Sequence, residues 1–483
     1  MAHVVGYDIG SAAQHPARSQ MGRGALKTLA APLLLCGLAL GGCAVTEAGI
    51  NPKTSEFYFP VGITLDADRS VLYVANSNAD LRYNGGTLMA LDLRKLPVDL
   101  SRVGAAVQAK KVDCAPDRID RTRWECKVGQ FVMPEAVLRI GNFPNGVALA
   151  PDGKRLFLPI RGEDPQDYLL WVDVADLGGG KVDLRCDGSC DGSGDCTAFD
   201  CDSDHRVSFS RRLGRDLPEQ PFAVLVDRQL AGDNAGEDWV FVTHLSGGEV
   251  SFLRSTPTPG GPVVLSDYRG GFFDSTSSVV GAFALAATTP GDATNNPIYV
   301  SSRSNNVIAS FVIRDGQSIV RGQRVPMRGA SPGGDVRGIG LSPDGKTLYA
   351  VSRDPSSLVA LDLSKKKGQA RNEAKWTVEV CSEPSVLALT PKPGSADPNA
   401  QLAYVVCFGE GAVFVVDTEL SRLEARIETG AGPNQLVIDS PRKRAFIANF
   451  VENTIGVIDL DPTRATYNRM VLRIGERQNL IQN

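Results

Sequence analysis

A phrase that returns seven times constrains this 483-residue chain more than any other feature of its sequence. It consists of a Pro or small residue, an apolar run, a turn often written Pro-Asp-Gly, an aromatic strand, a polar loop and a strand ending in Asp. It reads FPVGITLDADRSVLYVANSN from Phe59, FPNGVALAPDGKRLFLPIRG from Phe143 and QPFAVLVDRQ from Gln220. It returns as VGAFALAA from Val280, VRGIGLSPDGKTLYAVSRD from Val336, EPSVLALT from Glu383 and GPNQLVIDSPRKRAFIANF from Gly432. Units that cannot hide their apolar faces alone must stack on copies of themselves, so the repeat decides the architecture.

Each unit holds short β-branched and aromatic runs broken by turn residues, which predicts antiparallel strands. The 50 Gly and 29 Pro suit such a turn-rich chain. We letter the strands A to D from the axis outward. Strand A follows the Pro position, and B holds the aromatic landmarks Tyr73, Phe157, Phe241, Tyr299, Tyr349, Tyr404 and Phe446. Strand C ends in Asp92, Asp173, Asp362, Asp417 or Asp459, read as turn residues that accept backbone N–H groups rather than as acids. Strand D precedes the next Pro position, as in AVLRIG and MVLRIG. The fold class that follows is all-β: a seven-bladed propeller with four-stranded antiparallel blades, whose radial repetition leaves only short sheet edges. Blade 7 supplies its own strand D near Met470, and the segment Glu56–Phe59 is placed to add an edge strand there.

The phrases YVAN, YVSS and IAN, each followed by a Val-Ile-Asp-type strand, resemble the YVTN-repeat propellers. That is a family of secreted or surface seven-bladed proteins close to the lactonase-type propellers. The resemblance covers most of Phe59 to Gly475 and concerns fold more than activity. It implies acidic and His/Arg groups at the channel mouth, for which His244 beside several arginines is the one echo.

The N-terminus reads as an address. Thr28–Gly42 is uncharged and follows Arg23 and Lys27, the pattern of a secretory signal. It ends in Leu40-Gly41-Gly42-Cys43, which resembles a bacterial lipobox. That resemblance implies acylation of Cys43, and Ala44 after it resembles sorting to the outer membrane. The expected boundaries are an extension over 1–20, a signal over 21–42 starting at Met21, a linker over 43–58, the propeller over 59–475 and a tail over 476–483.

The longest gaps between aromatic landmarks predict insertions after strand C of blades 1 and 2, at about 94–135 and 175–205, on one face of the ring. Eight cysteines remain beyond Cys36 and Cys43, an even number that reads as disulfides in an exported chain. Their positions predict Cys381–Cys407 within blade 6 and Cys114–Cys126 within the first insertion. Cys186, Cys190, Cys196 and Cys201 read as two local bridges of open connectivity, with Zn²⁺ as the competing occupant. Asp187, Asp191, Asp195, Asp200, Asp202 and Asp204 interleave with them and make a weak Ca²⁺ candidate without EF-hand spacing. No other cofactor is expected.

The turns after strand B surround the channel mouth. They place Arg161, Arg303 and Arg353 in one repeat slot, with Arg337 at a neighbouring strand A and Asn76, His244 and Asn449 nearby. Convergent guanidiniums suit a carboxylate or phosphate. The competing reading pairs them with Asp335, Glu219, Glu383 or Glu410. No nucleophile elbow, haem site, dinucleotide fingerprint or P-loop occurs, and the net charge of −4 argues against nucleic acid. The expectation is an envelope lipoprotein, periplasmic or surface-exposed. Cys43 would tether it to the outer membrane, and its propeller would bind a protein, glycan or small anion. A lactonase-like hydrolase at the channel mouth is the alternative, with His244 its weak catalytic candidate.

Overall fold

The computed structural model describes residues 50–162, 167–186, 201, 205–208, 217–230, 234–256, 261–268, 281–288, 291–293, 295–327, 335–366 and 369–477. The signal, Cys43, the six candidate Ca²⁺ aspartates, Cys190 and Cys196 lie outside them. Seven antiparallel sheets follow one another along the chain, each stacked on the next to form a seven-bladed propeller. Blade 5 shows the basic pattern: A is Val336–Leu341, B is Thr347–Arg353, C is Ser356–Asp362 and D is Glu373–Glu379.

Burial follows position within the blade. Strand B of blades 1, 2 and 7 (Val71–Asn76, Arg155–Ile160 and Arg444–Asn449) is buried at every residue, because both its faces lie against other blades. That explains its continuous apolar runs. The outermost strand of blade 5, Glu373–Glu379, alternates between exposed and half-buried residues. Tyr73, Phe157, Phe241 and Phe446 sit fully buried between blades. Truncating such an aromatic to Ala typically costs about 3–5 kcal/mol.

The Pro-Asp-Gly turn has a shared geometry, with its last residue in the left-handed region. Gly153 (φ 70°) and Gly345 (φ 67°) fill that position, and Ser70 (φ 57°) and Lys443 (φ 51°) fill it in blades 1 and 7. Each of the four donates its N–H three residues back, for instance Gly345 to Ser342 O at 2.9 Å. The strand-C aspartates mostly cap turns: Asp362 accepts from Ser364 N at 2.8 Å, and Asp417 from Glu419 N and Leu420 N at 3.0 Å. Asp173 instead pairs with Arg155 at 2.9 Å.

Ring closure departs from expectation. Glu56–Phe59 forms no strand; Phe57, 2% exposed, plugs the core between blades 1 and 7. The closing strand comes from the first insertion, where Cys114–Pro116 and Trp124–Cys126 form a hairpin clasped by the Cys114–Cys126 disulfide. Trp124–Cys126 pairs in parallel with Leu472–Ile474, the outer strand of blade 7, and Gly475 N donates to Cys126 O at 2.8 Å. This insertion therefore climbs blade 7 and reaches the opposite face of the ring. The second insertion also differs from expectation. It interrupts strand D of blade 2, between Lys181–Arg185 and Arg206–Ser208, both paired to the long strand Tyr168–Gly178. Cys186–Cys201 clasps the two halves, and Cys381–Cys407 ties blade 6 as expected.

Candidate active site at the channel mouth

One hydrogen bond recurs in all seven blades and defines the mouth. The residue that follows strand B (in blade 5 the last residue of the strand) donates its N–H to the carbonyl just before strand A of the same blade. The pairs are Ser77 to Phe59, Arg161 to Phe143, Leu245 to Gln220, Arg303 to Gly281, Arg353 to Asp335, Phe408 to Glu383 and Phe450 to Gly432. Five of the acceptors are left-handed: Phe59, Phe143, Gln220 and Glu383 at φ of 51–53° and Gly432 at 62°. Bulky residues persist there only when their surroundings over-determine them, so the strain belongs to the architecture of the rim.

Arg161, Arg303 and Arg353 thus stand in one ring. The residue after each Pro position forms a second ring beneath it, and there Phe222, Phe283 and Arg337 are successive members. The two rings interlock. The Phe222 and Phe283 rings lie 4.5 Å apart, Arg161 sits 5.4 Å over Phe222, and Arg337 sits 4.8 Å over Phe283. The result is a stack of guanidinium, two rings and guanidinium across blades 2 to 5, a cation–π arrangement that holds both cations in place. Below it the channel encloses about 270 Å³, walled by Val224, Leu285 and Leu387 with Asn145, Ser385 and Asn434 as polar groups. Gly338 permits that closeness, since a Cβ there would sit 2.6 Å from Leu387 N of the next blade.

The electrostatics leave positive charge at the rim. Arg161 Nη2 donates to Asn145 Oδ1 at 3.0 Å, a neutral partner, while its buried Nε makes no hydrogen bond. Burial pulls Arg161 below its ordinary pKa; Asp167 opposes this and Arg303 adds to it by repulsion. Burial lowers Arg353 too, reinforced by Arg337 and Arg303 and opposed by Asp335 and Glu383. Arg337 forks onto Asp335, Nη2 to Oδ2 at 2.7 Å, so the pairing reading holds for Arg337. Guanidiniums stay charged through such shifts, so the cost of crowding them is relieved by an anion.

Three expected site residues are not at the mouth. Asn76, His244 and Asn449 are fully buried inside their blades, because they precede the rim slot by one residue and a strand sends successive side chains to opposite faces. Asn76 donates to Thr87 Oγ1 at 2.9 Å and Asn449 to Thr454 Oγ1 at 3.1 Å. His244 places Nδ1 3.2 Å from Glu219 O and Nε2 3.0 Å from Ser251 Oγ, a clasp between strands rather than a base facing a channel. Phe222, Phe283 and Asn145 are the additions; their signal was the repeat position directly after each Pro. Among the described residues no cluster of three or more His, Cys, Asp or Glu could hold a metal.

Residues 286–387, within blades 4 to 6, match the family model for lactonases with a 7-bladed β-propeller. The fold is that of the lactonase-type propellers. A protein from Lactobacillus plantarum superposes with a TM-score of 0.51 at 12% identity, over 84% of this chain and 97% of that one. A putative 6-phosphogluconolactonase from Bacteroides fragilis gives 0.50 at 14% identity, over 88% of this chain and 99% of that one. At these identities the likeness is one of fold. No curated protein matches the chain by sequence.

Proposed function

We propose that this lactonase-type propeller is a hydrolase for anionic lactones, acting at the channel mouth. One observation carries the reading: Arg161, Arg303, Arg337 and Arg353 converge on one half of the rim, where Arg161 has, among the described residues, only the neutral Asn145 amide as its hydrogen-bond acceptor and Arg303 and Arg337 repel Arg353. Two chemical tasks fit them. A guanidinium fork binds a substrate carboxylate or phosphate, and a second one stabilises the oxyanion that forms when water attacks the lactone carbonyl. In this reading Asp335, oriented by Arg337, takes the proton from that water and returns it to the alkoxide oxygen as the acyl–oxygen bond breaks. Export, with Cys43 as lipid anchor and the envelope as compartment, is part of the proposal; the lipobox and the disulfides support it.

The test is hydrolysis of an anionic lactone by the mature domain, followed by proton release. Wild-type turnover above the uncatalysed rate, with Arg161→Gln and Asp335→Asn each losing about 10²-fold or more, supports the reading. The burial of His244 favours a second reading, a module that binds anions without turnover. Anion binding with hydrolysis no faster than in buffer would replace the first reading by the second.

A further inference from the structure

The seven-membered rim is not uniform, and its other half is aromatic. Phe408 and Phe450 occupy the same slot in blades 6 and 7 that arginines occupy in blades 2, 4 and 5. Phe59 joins them, its ring 5.2 Å from that of Phe450, with Phe408 6.5 Å from Phe450 on the other side. All three are half-buried. Phe59 holds its left-handed backbone with an N–H bond to Asn453 Oδ1 at 2.5 Å and a carbonyl that accepts from Ser77.

Resting on the mouth as the lactone site, we propose that Phe59, Phe408 and Phe450 form the subsite for an apolar substrate body. The preferred lactones are then aryl- or acyl-bearing anions rather than hydroxyl-rich sugars. The chemistry of the arc supports this choice. Phenylalanine rings offer dispersion and π faces but no hydrogen bond, so sugar hydroxyls laid against them lose water partners and gain none. The backbone behind them runs through Gly409, Ala431 and Gly432, with Val451 packed against Gly432, and beyond it the hollow is bounded by the charged Arg123, Glu410, Arg426, Glu428 and Arg477. The guanidiniums of blades 2 to 5 attract the anionic head and set the orientation, and Glu383, beside Gly409 and acting on Arg353, stands where the two halves meet. A ligand with its charge at one end and its apolar body at the other matches both halves at once.

Calorimetry with inorganic phosphate and phenyl phosphate separates this inference from the one beneath it. Wild-type protein should bind phenyl phosphate about tenfold or more tighter than phosphate, the gain expected from burying one face of a ring. The Phe408→Ser/Phe450→Ser double variant should lose that advantage and bind phosphate as before, with its melting temperature recorded to show that the fold persists. Equal binding of the two probes by the wild type, or an advantage that survives the double substitution, overturns the aromatic subsite and leaves the anion site standing. Binding of neither probe, or phosphate binding unaffected by Arg161→Gln, overturns both. Phe59 is left intact because its backbone is strained.

Discussion

Two places in this ring gather arginines, and they treat them in opposite ways. At the seam between blades 7 and 1, Arg473 is fully buried and surrounded by acids. Its Nη1 reaches Asp117 and, at 2.8 Å, Glu125, while Nη2 lies 3.3 Å from Glu452. Arg477 adds a further bond to Glu452 at 2.6 Å. At the mouth, Arg161 and Arg337 lie over aromatic faces, Arg161 donates to a neutral amide and Arg353 to the Pro384 carbonyl at 3.2 Å, with Asp335 forked onto Arg337. A buried cation must be matched by the protein that encloses it, whereas a rim cation can wait for a ligand. The difference separates a structural site from a binding site, although the residue type is the same.

The sharpest way to break that distinction is to remove one arginine from each place. Arg473→Met leaves Asp117, Glu125 and Glu452 facing one another at a buried seam, and should cost about 3–5 kcal/mol in denaturant unfolding. Arg353→Gln removes a guanidinium on which repulsion from Arg337 and Arg303 offsets attraction by Asp335 and Glu383, and one bond to Pro384 O, and should change stability by less than about 1 kcal/mol. If the two variants unfold at the same denaturant concentration, the contrast between seam and mouth is wrong. The next effect concerns the hairpin that carries Asp117 and Glu125. Cys114→Ala/Cys126→Ala opens the clasp on the closing strand, and should lower stability by about 2–4 kcal/mol. The equivalent change at Cys381 and Cys407 loosens one blade without unlatching the ring. Proteolysis should therefore cut near residues 113–127 in the first double variant and leave them intact in the second.

The blades were legible from sequence because each repeats the same turn and strand pattern, so one phrase read seven times corrects its own local errors. The rim slot of Arg161, Arg303 and Arg353 was legible for the same reason. Asn76, His244 and Asn449 were misplaced by a single residue, and one residue in a strand is enough to turn a rim group into a core group. Phe222 and Phe283 were passed over because an apolar residue in an inner strand reads as core, and only their stacking with Arg161 and Arg337 gives them another role. Ring closure had no local signal. Trp124–Cys126 is a three-residue strand inside a long insertion, and its partner Leu472–Ile474 lies at the far end of the chain. Nothing in either segment announces a parallel pairing.

The smallest expected effect is a pH dependence that runs in opposite directions at the seam and in blade 3. Burial opposes ionisation of Asp117, but N–H bonds from Ile119 and Asp120 and the Arg473 pair outweigh it and hold the carboxyl below its ordinary range. Its contribution is present above the unfolded pKa of about 3.9 and is lost as pH falls through the folded value. Asp238 behaves in the contrary sense. Burial pushes it up to about 6, with the Arg228 pair at 3.4 Å opposing and Asp152 reinforcing the shift. A carboxyl raised on folding favours the native state while protonated, so that contribution is full below about 4 and fades as pH rises through about 6. Asp238→Asn should therefore flatten the slope of melting temperature between pH 4 and 6 by a few degrees, leaving the acid limb below pH 4 unchanged. Asp117→Asn should do the reverse. If Asp238→Asn leaves the upper slope as steep as in the wild type, that burial does not disfavour the charged carboxylate in the folded ring, and the acid dependence belongs to the seam alone.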